Sequence, residues 1–356
     1  MRAFCRFCTN PVIPREINLT KFRVWHILKE CETSYRNFRG GGMDMIMLER
    51  EVPERLRVLK CAIRRGFLHL EEELMRIEAG YAGEQYVDLR WKDMNLQVKH
   101  ALFHDYSIQL EDFSYQMDTV FVCQHFILIL EIKNIIGEIH IDHEKHQFIR
   151  IKPDGTTEGF RNPVDQVKRH VRGLKQLIKN PIPIEYAVVF SNSKAIIGKT
   201  PRNEPIFHVS GLETYVRRLI SKYSVHLNDT QFDNIVDQFK KYYSPLTFHF
   251  QIDQNKMIKG VLCPQCNYKR KMYFQHGKFK CSNCLYRSNL PLREALFDYS
   301  ILVGEWITNK AFREYVGIES SDAAKRLLQS LNVTCQGTNK GRRYKIADIF
   351  QESLIK

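Results

Sequence analysis

Eight consecutive residues, Phe126-Ile127-Leu128-Ile129-Leu130-Glu131-Ile132-Lys133, constrain this chain more than any other stretch. They are apolar enough for a buried strand, yet they carry a carboxylate and an amine two positions apart. Side chains at i and i+2 of a strand point the same way, so Glu131 and Lys133 share a face. Burying two charges there is costly unless they are paired or bind a metal. On an exposed strand such a pair is ordinarily a surface ion pair. The apolar run around this one argues against exposure.

Upstream, Tyr115–Val122 reads as a second strand with Asp118 near its start. A hairpin between the two strands brings Asp118 beside Glu131. An Asp, a Glu and a Lys meeting in this way suit divalent-metal hydrolysis of a phosphodiester. The carboxylates are expected to hold Mg²⁺ (or Mn²⁺), a hard cation that prefers oxygen ligands. Lys133 then orients the attacking water or stabilises charge in the transition state. Glu84 offers a distal carboxylate. Gln166 sits in the first turn of a helix opened by Asn162-Pro163, near its positive end.

Composition bounds the rest. A chain of 356 residues with 44% hydrophobic and 12% aromatic content can bury a proper core and predicts two or three domains. No apolar run long enough for a membrane span and no secretory leader is visible, so the expectation is a cytoplasmic protein. The ten cysteines sit largely in CxxC pairs, which favours metal ligands over disulfides. The net charge of +14 is uneven: residues 1–44 carry +4, residues 45–254 are neutral and residues 255–356 carry +10. A basic module joined to a neutral one predicts a nucleic-acid-binding part. No phosphate-binding GxxxxGK[ST] loop occurs, so no ATP use is expected. His100, His104, His140, His143 and His146 fit no triad and no HExxH pattern. Oligomeric state is not readable.

Periodicity gives the element order. Leu56, Leu59, Ile63, Phe67, Leu70, Leu74 and Ile77 mark a helical pattern that Gly80 is expected to stop, with a second helix starting at Gly83. Strands are predicted over 96–103, 106–110, 117–122, 126–133 and 138–141. A hairpin follows around Pro153-Asp154-Gly155. Then come the helix from Pro163, strands over 184–190 and 206–209, and helices over 211–222 and 230–243. This is an α/β arrangement with a mixed sheet.

The ordered set Gly83-Glu84, Gln116-Met117-Asp118, Glu131-Ile132-Lys133-Asn134 with Gly137, and Asn162-Pro163-x-x-Gln166 resembles the nuclease-related domain family, NERD, over roughly residues 80 to 195. The resemblance implies a relative of the PD-(D/E)XK nucleases: a restriction-endonuclease-like αβββαβ core with an acidic metal site, acting in DNA processing. It implies catalytic roles for Asp118, Glu131 and Lys133, with Glu84 and Gln166 as accessory positions.

A second constellation is Cys263-x-x-Cys266 with Cys281-x-x-Cys284. Four thiolates in two knuckles predict a closed structural Zn²⁺ site, a zinc ribbon, with strands on either side of His276-Gly277. Its basic, aromatic surface (Tyr268, Lys269, Arg270, Lys271, Tyr273, Phe274) is a candidate for nucleic acid or for packing on the next segment. Beyond it, a helix ending at Gly317 and a second capped by Ser320 or Ser321 form a helix-turn-helix pattern. The second helix turns Ala324, Leu327, Leu328 and Leu331 inward and leaves Lys325 and Arg326 outside. Residues 337–346 then resemble the basic wing of a winged helix, with Lys340, Arg342, Arg343 and Lys345 as phosphate contacts.

The expected organisation is therefore an extension at 1–44, a helical segment at 45–79, a NERD domain at 80–250, a zinc ribbon at 251–290 and a winged-helix-like domain at 291–356. The extension is expected to be non-native or disordered. Arg39-Gly40-Gly41-Gly42 before Met43, Met45 and Met47 is what a translated ribosome-binding site would encode. The other reading of that segment is a genuine extension with a small metal site at Cys5 and Cys8. The expected function is metal-dependent cleavage of DNA. Its rivals are a non-catalytic DNA-binding or regulatory protein on a degenerate nuclease fold, and an RNA-directed nuclease.

Overall fold

The computed structural model describes residues 44–351 apart from 112, 143, 247 and 249. The expectations for Cys5, Cys8, His143 and the start of the chain lie outside the described residues. The chain divides into two compact units, one of residues 41–257 and one holding residues 258–356.

In the first unit the elements run β1 (Asp44–Leu48), α1 (Glu54–Arg64), α2 (Glu71–Asp93), β2 (His100–Leu110), β3 (Phe113–Cys123), β4 (Ile127–Lys133), β5 (Gly137–Asp142), β6 (Gln147–Ile151), β7 (Thr157–Arg161), α3 (Pro163–Leu177), β8 (Ile184–Phe190), β9 (Ala195–Ile197), β10 (Ile206–His208), α4 (Leu212–Lys222) and α5 (Asp229–Tyr242). The main sheet has the order β1-β2-β3-β4-β8-β10. β2, β3 and β4 are antiparallel to their neighbours in the meander, whereas β1, β8 and β10 pair in parallel. The expected αβββαβ order is present as α2, β2, β3, β4, α3 and β8. Between β4 and α3 the chain builds part of a second sheet, ordered β7-β6-β5-β9.

β4 lies at the centre because both of its faces are covered. Ile127 and Ile129 pack with Val164, Val167, Val171 and Leu174 of α3 and with Phe232 and Phe239 of α5. Leu128 and Leu130 pack with Val87 and Trp91 of α2 and with Leu212, Val216 and Leu219 of α4. Two-sided burial explains the unbroken apolar run. Burying one such side chain contributes about 1.5–3 kcal/mol.

Three expectations change. The helical pattern expected from Leu56 to Ile77 is two helices, broken after Arg64, and the second does not stop at Gly80 but continues from Glu71 to Asp93. A Cβ at Gly80 would meet nothing within 4 Å, so this glycine is an ordinary interior helix position. The strands expected over 96–103 and 106–110 are the single strand β2, which passes through Asp105 at φ 49°. Strands β1 and β9 were not anticipated: β1 is an edge strand, and β9 has only three residues. The hairpin at Pro153-Asp154-Gly155 forms as expected, with Gly155 at φ 82° and Asp154 accepting the Thr156 N–H.

The second unit begins with an antiparallel sheet of β11 (Val261–Leu262), β12 (Lys271–Gln275), β13 (Lys278–Cys281) and β14 (Arg287–Ser288). Its β12–β13 turn is His276-Gly277, both at positive φ, which suits a two-residue hairpin. There follow α6 (Leu290–Leu302), β15 (Trp306–Thr308), α7 (Asn309–Val316), α8 (Ser321–Ser330), β16 (Cys335–Gln336), β17 (Arg343–Lys345) and α9 (Asp348–Gln351). β15, β17 and β16 form a three-stranded sheet. α7 ends at Gly317 with φ 79°, and Ser320 caps α8 by accepting the Ala323 N–H.

Candidate functional site

The β3–β4 ladder pairs Val122 with Ile127 and Thr119 with Leu130. Its next rung sets Asp118 opposite Glu131. Asp118 Oδ2 accepts the Ile132 N–H at 2.6 Å, which fixes that carboxylate against β4. Glu131 and Lys133 share the face of β4 turned towards α3. Glu131 is 1% exposed. Its Oε1 accepts a hydrogen bond from Lys133 Nζ at 2.5 Å, while its buried Oε2 has no hydrogen-bond partner. Asn162 caps α3 by accepting the Val164 N–H, and the first turn of that helix presents Gln166. Gln166 Oε1 lies 3.5 Å from Lys133 Nζ. One turn further along, His170 is buried with Nδ1 3.8 Å from Glu131 Oε2.

Glu84 enters from α2 and is held differently. Arg50, just beyond β1, donates to Glu84 Oε2 at 2.8 Å, to Asp88 Oδ2 at 2.7 Å and to Asp105 Oδ1 at 3.0 Å. It also donates to the Asp118 carbonyl at 2.7 Å. The Arg50 side chain is 3% exposed, so this is a buried cation joining α2, β2 and β3. Asp105 lies between the His104–Thr119 and Tyr106–Met117 rungs, directly across β2–β3 from Asp118.

The electrostatics follow from burial. Glu131 is pushed up to about 8 by burial and by the charge of Asp118, against the pull of Lys133. Glu84 is pushed up to about 8 by burial and Asp118, against Arg50. Burial also raises Asp118, opposed by Lys133 and the Ile132 N–H. Burial works against the charge on Lys133, but Glu131 and Asp118 outweigh it and its value rises. Burial alone would raise Asp88; the hydrogen bonds from His104 and Arg50 outweigh it and hold Asp88 low. Three oxygen-donor carboxylates thus resist ionising next to one another even with Lys133 and Arg50 present. An orphaned buried carboxylate oxygen within such a set fits a hard divalent cation. The carboxylates are nevertheless splayed. Among the described residues only the four cysteines form a group of three or more His, Cys, Asp or Glu with all ligand atoms within 4.8 Å.

The close packing beside the site accounts for two motif residues. A Cβ on Gly83 would lie 2.4 Å from Asn134 Cβ and 2.5 Å from Ser191 Oγ. Asn134 in turn donates to the Ala79 carbonyl at 2.6 Å and accepts from Asn192 at 2.8 Å. Gly83 therefore lets α2 press against the chain leaving β4. Sequence reasoning missed Arg50, Asp88, Asp105 and His170. The hairpin register carried a signal for Asp105, and the i+4 spacing from Gln166 carried one for His170. For Arg50 there was none.

Residues 79–191 match the model of the NERD family, the nuclease-related domain, so this part of the chain is similar to that domain. The match starts within α2 and ends just after β8. No curated protein and no solved structure matches the chain.

In the second unit the four cysteines converge. Cys263 and Cys284 sulfurs lie 3.5 Å apart, and those of Cys266 and Cys281 lie 3.8 Å apart. Four sulfurs at about 2.3 Å from a tetrahedral Zn²⁺ stand about 3.8 Å from each other, so the quartet fits that ion. Lys325 and Arg326 are exposed on α8, while Ala324 and Leu328 are buried. Arg343 is exposed, donates to Gln336 Oε1 at 2.9 Å and lies over the Trp306 ring. Arg342 is half-buried, and Lys345 lies 4.0 Å from both Glu305 and Asp348. The Lys340 side chain lies outside the described residues.

Proposed function

We propose that the chain is a divalent-metal-dependent nuclease of the restriction-endonuclease-like fold, hydrolysing phosphodiester bonds in DNA as part of DNA processing in the cytoplasm. The observation that carries this reading is Glu131: wholly buried, one oxygen held by Lys133, the other unpartnered, and Asp118 opposite it on β3. Asp118 and Glu131 would hold Mg²⁺ or Mn²⁺. When bound, that ion supplies Lewis-acid charge on a phosphate oxygen and a water of lowered pKa. Lys133 donates towards the attacking water or a phosphate oxygen from a position fixed by Glu131. Gln166 adds a hydrogen bond to the same region from the first turn of α3. Glu84, steadied by Arg50, completes the acidic lining. The cysteine unit is read as a structural zinc ribbon, and α6, β15, α7, α8, β16 and β17 as a winged helix. In that unit Lys325, Arg326, Lys340, Arg342 and Arg343 contact phosphates, with Lys345 partly engaged by Glu305 and Asp348.

The test is cleavage of single- and double-stranded DNA titrated with Mg²⁺ and Mn²⁺. Metal-dependent cleavage is expected, falling by about 10²–10³-fold or more in Asp118→Asn, Glu131→Ala and Lys133→Ala. Equal cleavage in all three variants would remove the site assignment. A second reading, a non-catalytic DNA-binding protein on a degenerate nuclease fold, draws on the splayed carboxylates. It predicts DNA binding without cleavage under every metal condition.

A further inference from the structure

The sheet of the cysteine unit has two opposite faces. Its register sets Tyr273 beside Lys280 and Lys280 beside Arg287, giving one row across β12, β13 and β14. Adjacent strands lie about 4.8 Å apart. Alternation puts Lys271 and Gln275 on the same face of β12 as Tyr273, and Lys278 on that face of β13. Lys271, Lys278 and Arg287 are exposed, and Tyr273 is 43% exposed. On the opposite face Met272 and Phe279 are buried, and Phe274 packs against Phe279. Phe274, first grouped with the surface aromatics, therefore belongs to the inner side.

Charge is one-sided here. No Asp or Glu occurs between Asp253 and Glu294. A zinc-loaded cysteine quartet would carry two net negative charges. Lys269, Arg270, Lys271, Lys278, Lys280 and Arg287 outnumber them. An acid-free cationic face around a single exposed ring fits a polyanion that also offers flat aromatic groups. Duplex phosphates could meet the cations, but stacked bases could not reach the ring. A base in an unpaired strand can stack on it.

We propose that this face binds single-stranded DNA, with a base stacked on Tyr273 and phosphates on Lys271, Lys278, Lys280 and Arg287. The choice of DNA rests on the nuclease reading above. It gives the cysteine unit the task of holding unpaired strand.

The test uses the full chain, zinc-loaded, with no divalent metal added and no chelator. Fluorescence anisotropy follows a labelled single-stranded DNA of about 20 nucleotides, beyond one typical site, with duplex DNA and single-stranded RNA in parallel arms. Tyr273→Ala is expected to weaken single-strand binding by about 5- to 100-fold and to leave duplex binding nearly unchanged. Tyr273→Phe should keep wild-type affinity. Lys271→Ala with Lys280→Ala should flatten the salt dependence of binding. Zinc content per chain reports that each variant is folded. Zinc-loaded Tyr273→Ala and the double lysine variant binding single-stranded DNA like wild type would overturn the proposal. So would tighter binding of duplex or RNA than of single-stranded DNA. Because nothing is cleaved in this assay, loss of the nuclease reading and loss of this one give different results.

Discussion

At the residue scale the site divides by how its members meet. Glu131 and Lys133 were readable because a strand's two-residue repeat fixes which side chains are neighbours. Asp118 was readable because a hairpin fixes the rung. Arg50 was not, since it reaches Glu84 across 34 positions and the Asp118 carbonyl across 68. Such contacts depend on where β1 joins the sheet, and no local pattern announces that. Arg50→Met leaves Glu84, Asp88 and Asp105 facing one another without their cation. A loss of about 3–5 kcal/mol in urea-unfolding free energy is expected. His170 makes a pH prediction. Burial, then Arg169 and Lys133, bring it from 6.5 down to about 4. Glu131 Oε2 and the Tyr115 ring edge are its other neighbours. Its folded value lies below its unfolded one, so its share of stability is present above pH 6.5 and is lost as pH falls from 6.5 towards 4. That share is about 3 kcal/mol. The stability gap between wild type and His170→Gln, followed by urea unfolding from neutral to acid pH, should shift by that order in the direction of a weaker wild type.

At the scale of elements, α2 shows why local signals misplaced a boundary. Two glycines three residues apart look alike in sequence and read as a stop and a restart. Gly80 faces open space, and its alanine variant gains helix propensity, about 0.5–1 kcal/mol of stability. Gly83 faces Asn134, whose side chain is held at both ends, and Ser191. Gly83→Ala should therefore lose about 1–3 kcal/mol, because overpacking outweighs propensity. Thermal melts of the two variants should move in opposite directions. α3 was easier to place. Asn162-Pro163 sets its start by a cap and a fixed φ, and its apolar stripe matches the face it buries. β9 escaped notice because three residues carry no period.

At the scale of the molecule, the two units are built on different principles. The first buries two apolar layers against a central strand. The second has a short sheet whose cysteine quartet fits a metal. That short sheet has little core of its own, so a bound ion would supply much of its folding energy. Stripping zinc with a chelator is expected to abolish hydrogen-exchange protection in β12–β13 and to leave protection in β3, β4 and β8 intact. Equal loss in both would show that the first unit also depends on zinc. One further consequence follows from β1, which lies upstream of the matched segment yet extends the main sheet beyond β2. A fragment trimmed to residues 79–191 would lack β1 at one margin and β10 at the other. It would leave β2 and β8 with raw rows of amide groups and would strand Glu84, Asp88 and Asp105 without their arginine. Such a fragment is built to stick to its own copies rather than to stand alone.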